Sequence, residues 1–217
     1  MGLLDLLVQR RTDVEASLVA VDAEEPAFTT KTLRKFLTAL TVREWPVLLD
    51  LGPVVGSDVS FFGEQLGCKI FVEDLFVDID RHVRSDRLDA LPGFLRERFA
   101  KVEGAVDGIL CWDLIDYLDR GAAQTLGEEL TRLLRPEGAL LAFFGTAHPR
   151  DRSYTKYIIA DESTLKYRCY DAARGRQAIL LNRDIIRLFP ALRVSDSILL
   201  QNNLREILFR KPDRLTT

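Results

Sequence analysis

The chain has 217 residues, of which 47% are hydrophobic, and its 30 Lys and Arg against 33 Asp and Glu leave a net charge of −3. That length suits one domain with a substantial core, and the charge offers no general attraction to a phosphate backbone, so a nucleic-acid partner is not expected. The cysteines, Cys68, Cys111 and Cys169, are dispersed, and only His82 and His148 stand beside them. That pattern predicts reduced thiols and no metal site.

The opening stretch MGLLDLLVQRRTD is apolar for only a few residues and carries Asp5, Arg10 and Arg11. It reads as neither a signal peptide nor a membrane span. Leu6 stands where an N-myristoylation signal wants Ser or Thr. A cytoplasmic location with no membrane partner is the expectation. Residues 1–44 read as a helical extension. Leu3, Leu4, Leu6 and Leu7 form a short apolar stripe, and Thr12 and Glu15 have capping-box spacing. An acidic loop, Asp22-Ala-Glu-Glu-Pro26, comes next. Thr29 or Thr30 then caps a helix in which Leu33, Phe36, Leu37 and Leu40 fall on one face.

From position 45 the period changes. Trp45-Pro-Val-Leu-Leu-Asp50 is a continuous apolar run, as in a parallel strand covered on both faces. A helix from Asp58 to Leu66 closes at Gly67, and Lys69-Ile-Phe-Val-Glu73 is the next strand. Val106-Asp-Gly-Ile-Leu-Cys111 is another, followed by a helix with Leu126, Leu130, Leu133 and Leu134 on one face. Pro136-Glu-Gly138 turns the chain into Ala139-Leu-Leu-Ala-Phe-Phe144. Strands alternating with helices predict a mostly parallel sheet with helices on both faces. The last third reads differently. Residues 154–161 and 164–171 form a hairpin, a helix spans 182–189, and residues 194–200 and 204–210 form a second hairpin across Gln201-Asn-Asn203.

A strand ending in an acidic residue, then a glycine turn into a helix, is a ligand-binding device: glycine permits close approach and the helix start supplies free N–H donors. Asp50-Leu-Gly52-Pro-Val-Val-Gly56 has that form. Val54 and Ser57 stand where a dinucleotide fingerprint needs glycine, and no Gly-Lys-Ser/Thr follows, which disfavours both a nicotinamide-dependent oxidoreductase and a P-loop. The segment resembles motif I of class I S-adenosylmethionine-dependent methyltransferases, with Asp50, Gly52 and Gly56 matching and Val54 replacing the middle glycine.

Three further segments follow in that family's order. Glu73 ends the second strand, 23 residues after Asp50, where the family holds the ribose hydroxyls; Asp74 is the alternative. The segment from Val106 to Leu118 resembles the fourth strand and the turn lining the methionine end, which implies cofactor contacts for Cys111 and Trp112. Leu133-Leu-Arg-Pro-Glu-Gly-Ala-Leu-Leu141 resembles the turn into the fifth strand. The resemblance covers about residues 30–211. It implies a Rossmann-like, seven-stranded, mostly parallel sheet with an antiparallel last strand, built by residues 45–217 with a β-hairpin insertion near 153–171.

The implied cofactor is S-adenosylmethionine, with S-adenosylhomocysteine as product. The implied binding residues are Asp50, Gly52, Pro53, Gly56, Glu73, Asp74, Asp86, Cys111 and Trp112. Asp86, or Asp89 in its place, is the candidate for the adenine amino group, in a middle segment shorter than the family's. Val54 puts a β-branched side chain where the family keeps the surface bare, and Pro53 removes an N–H donor. Methyl transfer needs alignment and, for a protonated acceptor, a base. Asp113, Asp116 and His148 are the candidates. The Asp-Pro-Pro-Tyr-type motif of amino-group methyltransferases acting on DNA, RNA or protein glutamine is absent, since Cys111-Trp-Asp-Leu114 stands in its place, which points to a small molecule or another acceptor atom. The hairpin tyrosines Tyr154, Tyr157, Tyr167 and Tyr170 form either a substrate lid or a homodimer contact. Arg150, Arg152, Arg174 and Arg176 around them raise an anionic acceptor. The competing reading is a non-catalytic methyltransferase-like domain that binds or regulates another protein.

Overall fold

The computed structural model describes residues 25–100, 104–147 and 152–213. Apolar residues along the strands alternate between two clusters, and this alternation builds the layers. Leu49, Ile109, Cys111, Leu140, Ala142 and Phe144 face one side, Leu48, Leu110, Trp112, Leu141 and Phe143 the other. Strands β2 (Val47–Asp50), β3 (Lys69–Val72), β4 (Val106–Trp112), β5 (Leu134–Gly145), β8 (Arg193–Leu199) and β9 (Leu204–Arg210) form one sheet in the order β3-β2-β4-β5-β9-β8. The pairs among β3, β2, β4 and β5 are parallel; β9 is antiparallel to both β5 and β8.

Among the described residues this sheet has six strands, where seven were expected. The stretch between Glu73 and Asp107 holds α3 (Leu75–Arg84), a 3-10 turn at Leu88–Ala90 and α4 (Leu91–Phe99), and no strand among its described residues. Local pattern explains this. Leu75, Phe76 and Ile79 are buried at helical spacing, Asp74 caps α3 by accepting from Val77 N, and Pro92 sits in the first turn of α4. These helices, with α5 (Arg120–Leu133) and α6 (Asn182–Leu188), cover one face of the sheet.

The opposite face carries α1 (Leu33–Thr41), whose Leu33, Phe36, Leu37 and Leu40 are all buried. Thr30 Oγ1 accepts from Leu33 N at the start of this helix and donates to Glu206, a fully buried carboxylate in β9 that also accepts from Lys31 N. Thr30 and Lys31 are therefore bonded to the sheet through Glu206. A second sheet lies on this face too. Strands β6 (Ser153–Ile159) and β7 (Thr164–Asp171) form the expected hairpin, and β1 (Ala27–Thr29) pairs antiparallel with β7. Tyr157, Ile159 and Leu165 bury this small sheet against the large one. No helix among the described residues is long and apolar enough to cross a membrane.

Candidate active site

From β2 the chain steps outward to β3 and then returns on the other side of β2 to β4. That reversal opens a crevice at the carboxyl ends of the strands, where open α/β sheets bind ligands. The turn after β2 lies in it. The buried Asp50 carboxylate accepts from Gly52 N at 2.9 Å and from Trp112 Nε1 at 2.7 Å. Burial pushes its pKa up to about 6 against the pull of those two bonds.

Gly52 is needed here for a reason the resemblance did not supply. A Cβ at this position would lie 2.7 Å from Trp112 Cδ1, so the glycine face is where the indole packs. Trp112 ends β4 with φ of 50° and stacks on Tyr157 of β6 at 5.2 Å between ring centroids. The Val54 side chain, 59% exposed, leaves that face clear, and no residue of the turn has positive φ. The turn is also tied to the hairpin. The Val54 carbonyl accepts from Lys156 Nζ at 2.7 Å. Gly56 opens the short helix α2 (Gly56–Ser60), which continues as a π-helical turn at Phe61–Gln65. In α2 the buried Asp58 accepts from Ile159 N at 3.0 Å, and burial raises its pKa to about 7.

Glu73 follows β3, its N–H bonded to the Asp50 carbonyl, and its carboxylate accepts from Arg98 Nε at 2.8 Å. Asp74 is the α3 cap, with burial raising its pKa. Asp86 takes φ of 52° in the exposed turn after α3, and neither it nor Asp89 bonds to Asp50, Glu73 or Asp74. Pro53 contributes only its fixed turn geometry, and Cys111 lies fully buried in β4, where burial drives its thiol pKa far up.

At the ends of β4 and β5 the structure brings together residues that are distant in sequence. Asp113 and Asp116, both buried, flank Arg176: Asp113 Oδ2 accepts from Arg176 Nη2 at 2.7 Å, and Asp116 Oδ2 stands 3.6 Å from Arg176 Nε. Asp116 also accepts from Gly145 N at 2.6 Å, and burial lifts it to about 7. Burial raises Asp113 as well. Burial alone lowers the Arg176 pKa, but the two carboxylates raise it more, so the guanidinium stays charged. Any side chain on Gly145 would collide with that guanidinium. Asp113 Oδ1 and Asp116 Oδ1 make no hydrogen bond of ordinary geometry. His148 lies outside the described residues.

Beside this cluster is a cavity of about 240 Å³ between the two sheets. Phe28, Tyr157 and Tyr167 supply aromatic walls, and Arg176, Thr155, Asn202 and Asn203 supply polar groups. The hairpin tyrosines divide: Tyr157 is buried, Tyr154 stacks on Phe76 and on Tyr170, and Tyr170 is partly exposed. Sequence reasoning missed the Trp112–Asp50 bond, the Asp58–Ile159 tie and the pairing of Arg176 with two aspartates. Only the apolar surroundings of Asp58 and Asp116 hinted at burial.

No family model and no curated protein matches the chain. Its structural neighbours include S-adenosylmethionine-dependent methyltransferases. One is the Burkholderia thailandensis 1,6-didemethyltoxoflavin N1-methyltransferase, solved with that substrate and S-adenosylhomocysteine. It is 16% identical, over 98% of this chain and 92% of that one, with a TM-score of 0.45. The glycopeptide N-methyltransferase MtfA with S-adenosylmethionine is 13% identical over 83% and 92%, TM-score 0.44. A Clostridium acetobutylicum methyltransferase is 11% identical over 95% and 99%, TM-score 0.46. At this identity the neighbours' ligands and acceptors are properties of the neighbours.

Proposed function

We propose that the chain transfers a methyl group from S-adenosylmethionine to a small molecule held in the cavity between the sheets. The observation that carries this reading is one of position. The Asp50–Gly52 turn and Glu73 lie at the switch point, and a cavity with aromatic walls opens beyond the ends of β5 and β9 on the same, carboxyl side of the parallel strands. The residue types suit the cofactor: the Glu73 carboxylate can accept from both ribose hydroxyls once Arg98 swings aside, and Glu73 and Arg98 are both partly exposed. The cofactor, when bound, supplies the electrophilic methyl group. Asp116, its pKa lifted to about 7 by burial, stands behind the cavity's Arg176 and, when ionised, is the candidate base for a protonated acceptor.

Two contacts favour the second reading, a non-catalytic domain that binds a protein partner. Trp112 covers the face of Gly52 and takes Asp50 Oδ1, and Arg98 takes Glu73. Both acidic side chains are satisfied within the chain.

Calorimetry with S-adenosylmethionine and S-adenosylhomocysteine separates the two. Saturable binding that weakens about tenfold or more in Glu73→Ala supports the enzyme reading. No binding at millimolar ligand overturns it and leaves the partner-binding domain.

A further inference from the structure

We infer that the cavity between the two sheets selects a neutral, planar heterocycle carrying a hydrogen-bond donor and acceptor along one edge. The inference rests on reading that cavity as the acceptor site, and it names the class of acceptor.

Size and walls come first. At about 240 Å³ the cavity is smaller than a typical drug-sized site and suits a compact molecule of one or two rings. Phe28 stands 6.3 Å from Tyr157 and 6.1 Å from Tyr167, centroid to centroid, so three rings from three strands, β1, β6 and β7, frame it. Aromatic walls favour a flat, polarisable ligand.

Charge decides next. Among the described residues the cationic group on the cavity wall is Arg176, and its charge is already matched by Asp113 at 2.7 Å, with Asp116 at 3.6 Å. An anionic ligand would compete with Asp113 for one guanidinium that is already ion-paired, in a largely buried place. A cationic ligand would meet the guanidinium itself. Either leaves a charge desolvated without a partner of its own. The anionic acceptor suggested by the arginines near the hairpin is disfavoured for this reason, and Arg174 bonds instead to Gln177.

The polar groups read an edge. Asn202 and Asn203 lie in the β8–β9 turn and line the cavity. The Asn203 backbone is fixed, its carbonyl accepting from both the N–H and the hydroxyl of Thr146, while its side-chain amide makes no bond among the described residues. Asn202 uses only its oxygen, at 3.4 Å from Leu204 N. A side-chain amide offers N–H and C=O side by side, which matches a lactam or amidine edge and leaves an ionised ring group unmatched.

Three bicyclic probes of nearly one shape test this: 2-quinolone (neutral), quinoline-2-carboxylate (anion) and N-methylquinolinium (cation). Their affinities are read from amide chemical shifts of the whole chain, with and without S-adenosylhomocysteine. The expected result is saturable 2-quinolone binding about tenfold tighter than either charged probe. Asn202→Ala and Asn203→Gly should each weaken it about fivefold with the fold intact. Glycine keeps the φ of 59° at position 203 available. A charged probe that binds as tightly, indifference to both substitutions, or no binding of 2-quinolone at millimolar concentration overturns the inference. Failure of 2-quinolone while S-adenosylhomocysteine still binds sinks this inference alone. Binding of 2-quinolone without any cofactor affinity sinks the methyltransferase reading and keeps the ligand site.

Discussion

The two ends of the crevice differ in how far the chain completes its own polar network. Under the glycine turn, Asp50 has two donors and Glu73 has Arg98, and an indole covers the one bare backbone face. At the ends of β4 and β5, two buried carboxylates share one guanidinium, each keeps an oxygen without a hydrogen bond, and a cavity opens beside them. Buried polar groups are ordinarily satisfied, because an unmade bond in a low dielectric costs about 1–3 kcal/mol. At the first end Asp58 Oδ2 is the bare oxygen, and at the second both carboxylates of the cluster keep one.

The largest effect expected from breaking this contrast is at Arg176. Arg176→Ala leaves Asp113 and Asp116 without their counter-ion and should cost about 3–5 kcal/mol, read from the urea unfolding midpoint. The loss should shrink at pH 5, where Asp116, lifted to about 7 by burial, is protonated. A midpoint unchanged at pH 7 would show that the cluster is not a coupled unit.

Trp112→Phe tests the end under the glycine turn. It keeps a ring against Gly52 but removes the donor to Asp50, for an expected loss of about 1–2 kcal/mol. By loosening the indole's hold on the turn it should also tighten S-adenosylhomocysteine several-fold in calorimetry. Weaker binding in this variant would mean that the indole supports the cofactor instead of excluding it.

Next comes pH. Asp50, Asp58 and Asp116 all have folded-state pKa values raised by burial, to about 6, 7 and 7. Between the ordinary value of 3.8 and those values the unfolded chain has lost protons that the folded chain keeps. Stability therefore falls as pH rises through this window and levels off above it. The protein should be more stable at pH 5 than at pH 8, and Asp58→Asn should flatten the slope by up to about 1.4 kcal/mol per pH unit. Urea unfolding across that range measures it.

The smallest effect is at Val54. Its side chain is turned to solvent, so Val54→Gly should leave cofactor affinity unchanged in the same calorimetry. A tightening would show that the turn adopts a second conformation in which the valine faces the ligand.

Much of the architecture was legible because it is periodic. The apolar runs at 47–50 and 106–112, the α1 stripe of Leu33, Phe36, Leu37 and Leu40, and both hairpins are local patterns. The seventh strand was expected from a family's plan against the helical spacing of Leu75, Phe76 and Ile79, and the local spacing prevailed. Site chemistry was less legible, since it depends on partners far apart along the chain. Asp113 and Arg176 are separated by 63 positions, Asp58 and Ile159 by 101. Nothing near Gly52 announces that a tryptophan 60 residues later claims its surface. An arginine beside an aromatic hairpin likewise looks the same whether it awaits an anion or is already paired.

The stacked indole has a use in the laboratory as well as in the fold. The sequence has two tryptophans: Trp45 is 80% exposed and Trp112 only 3%. Trp45→Phe would therefore leave a single emitter, sandwiched between the glycine turn and Tyr157. Its fluorescence would report, without any attached dye, whether the crevice is shut or has let a guest in.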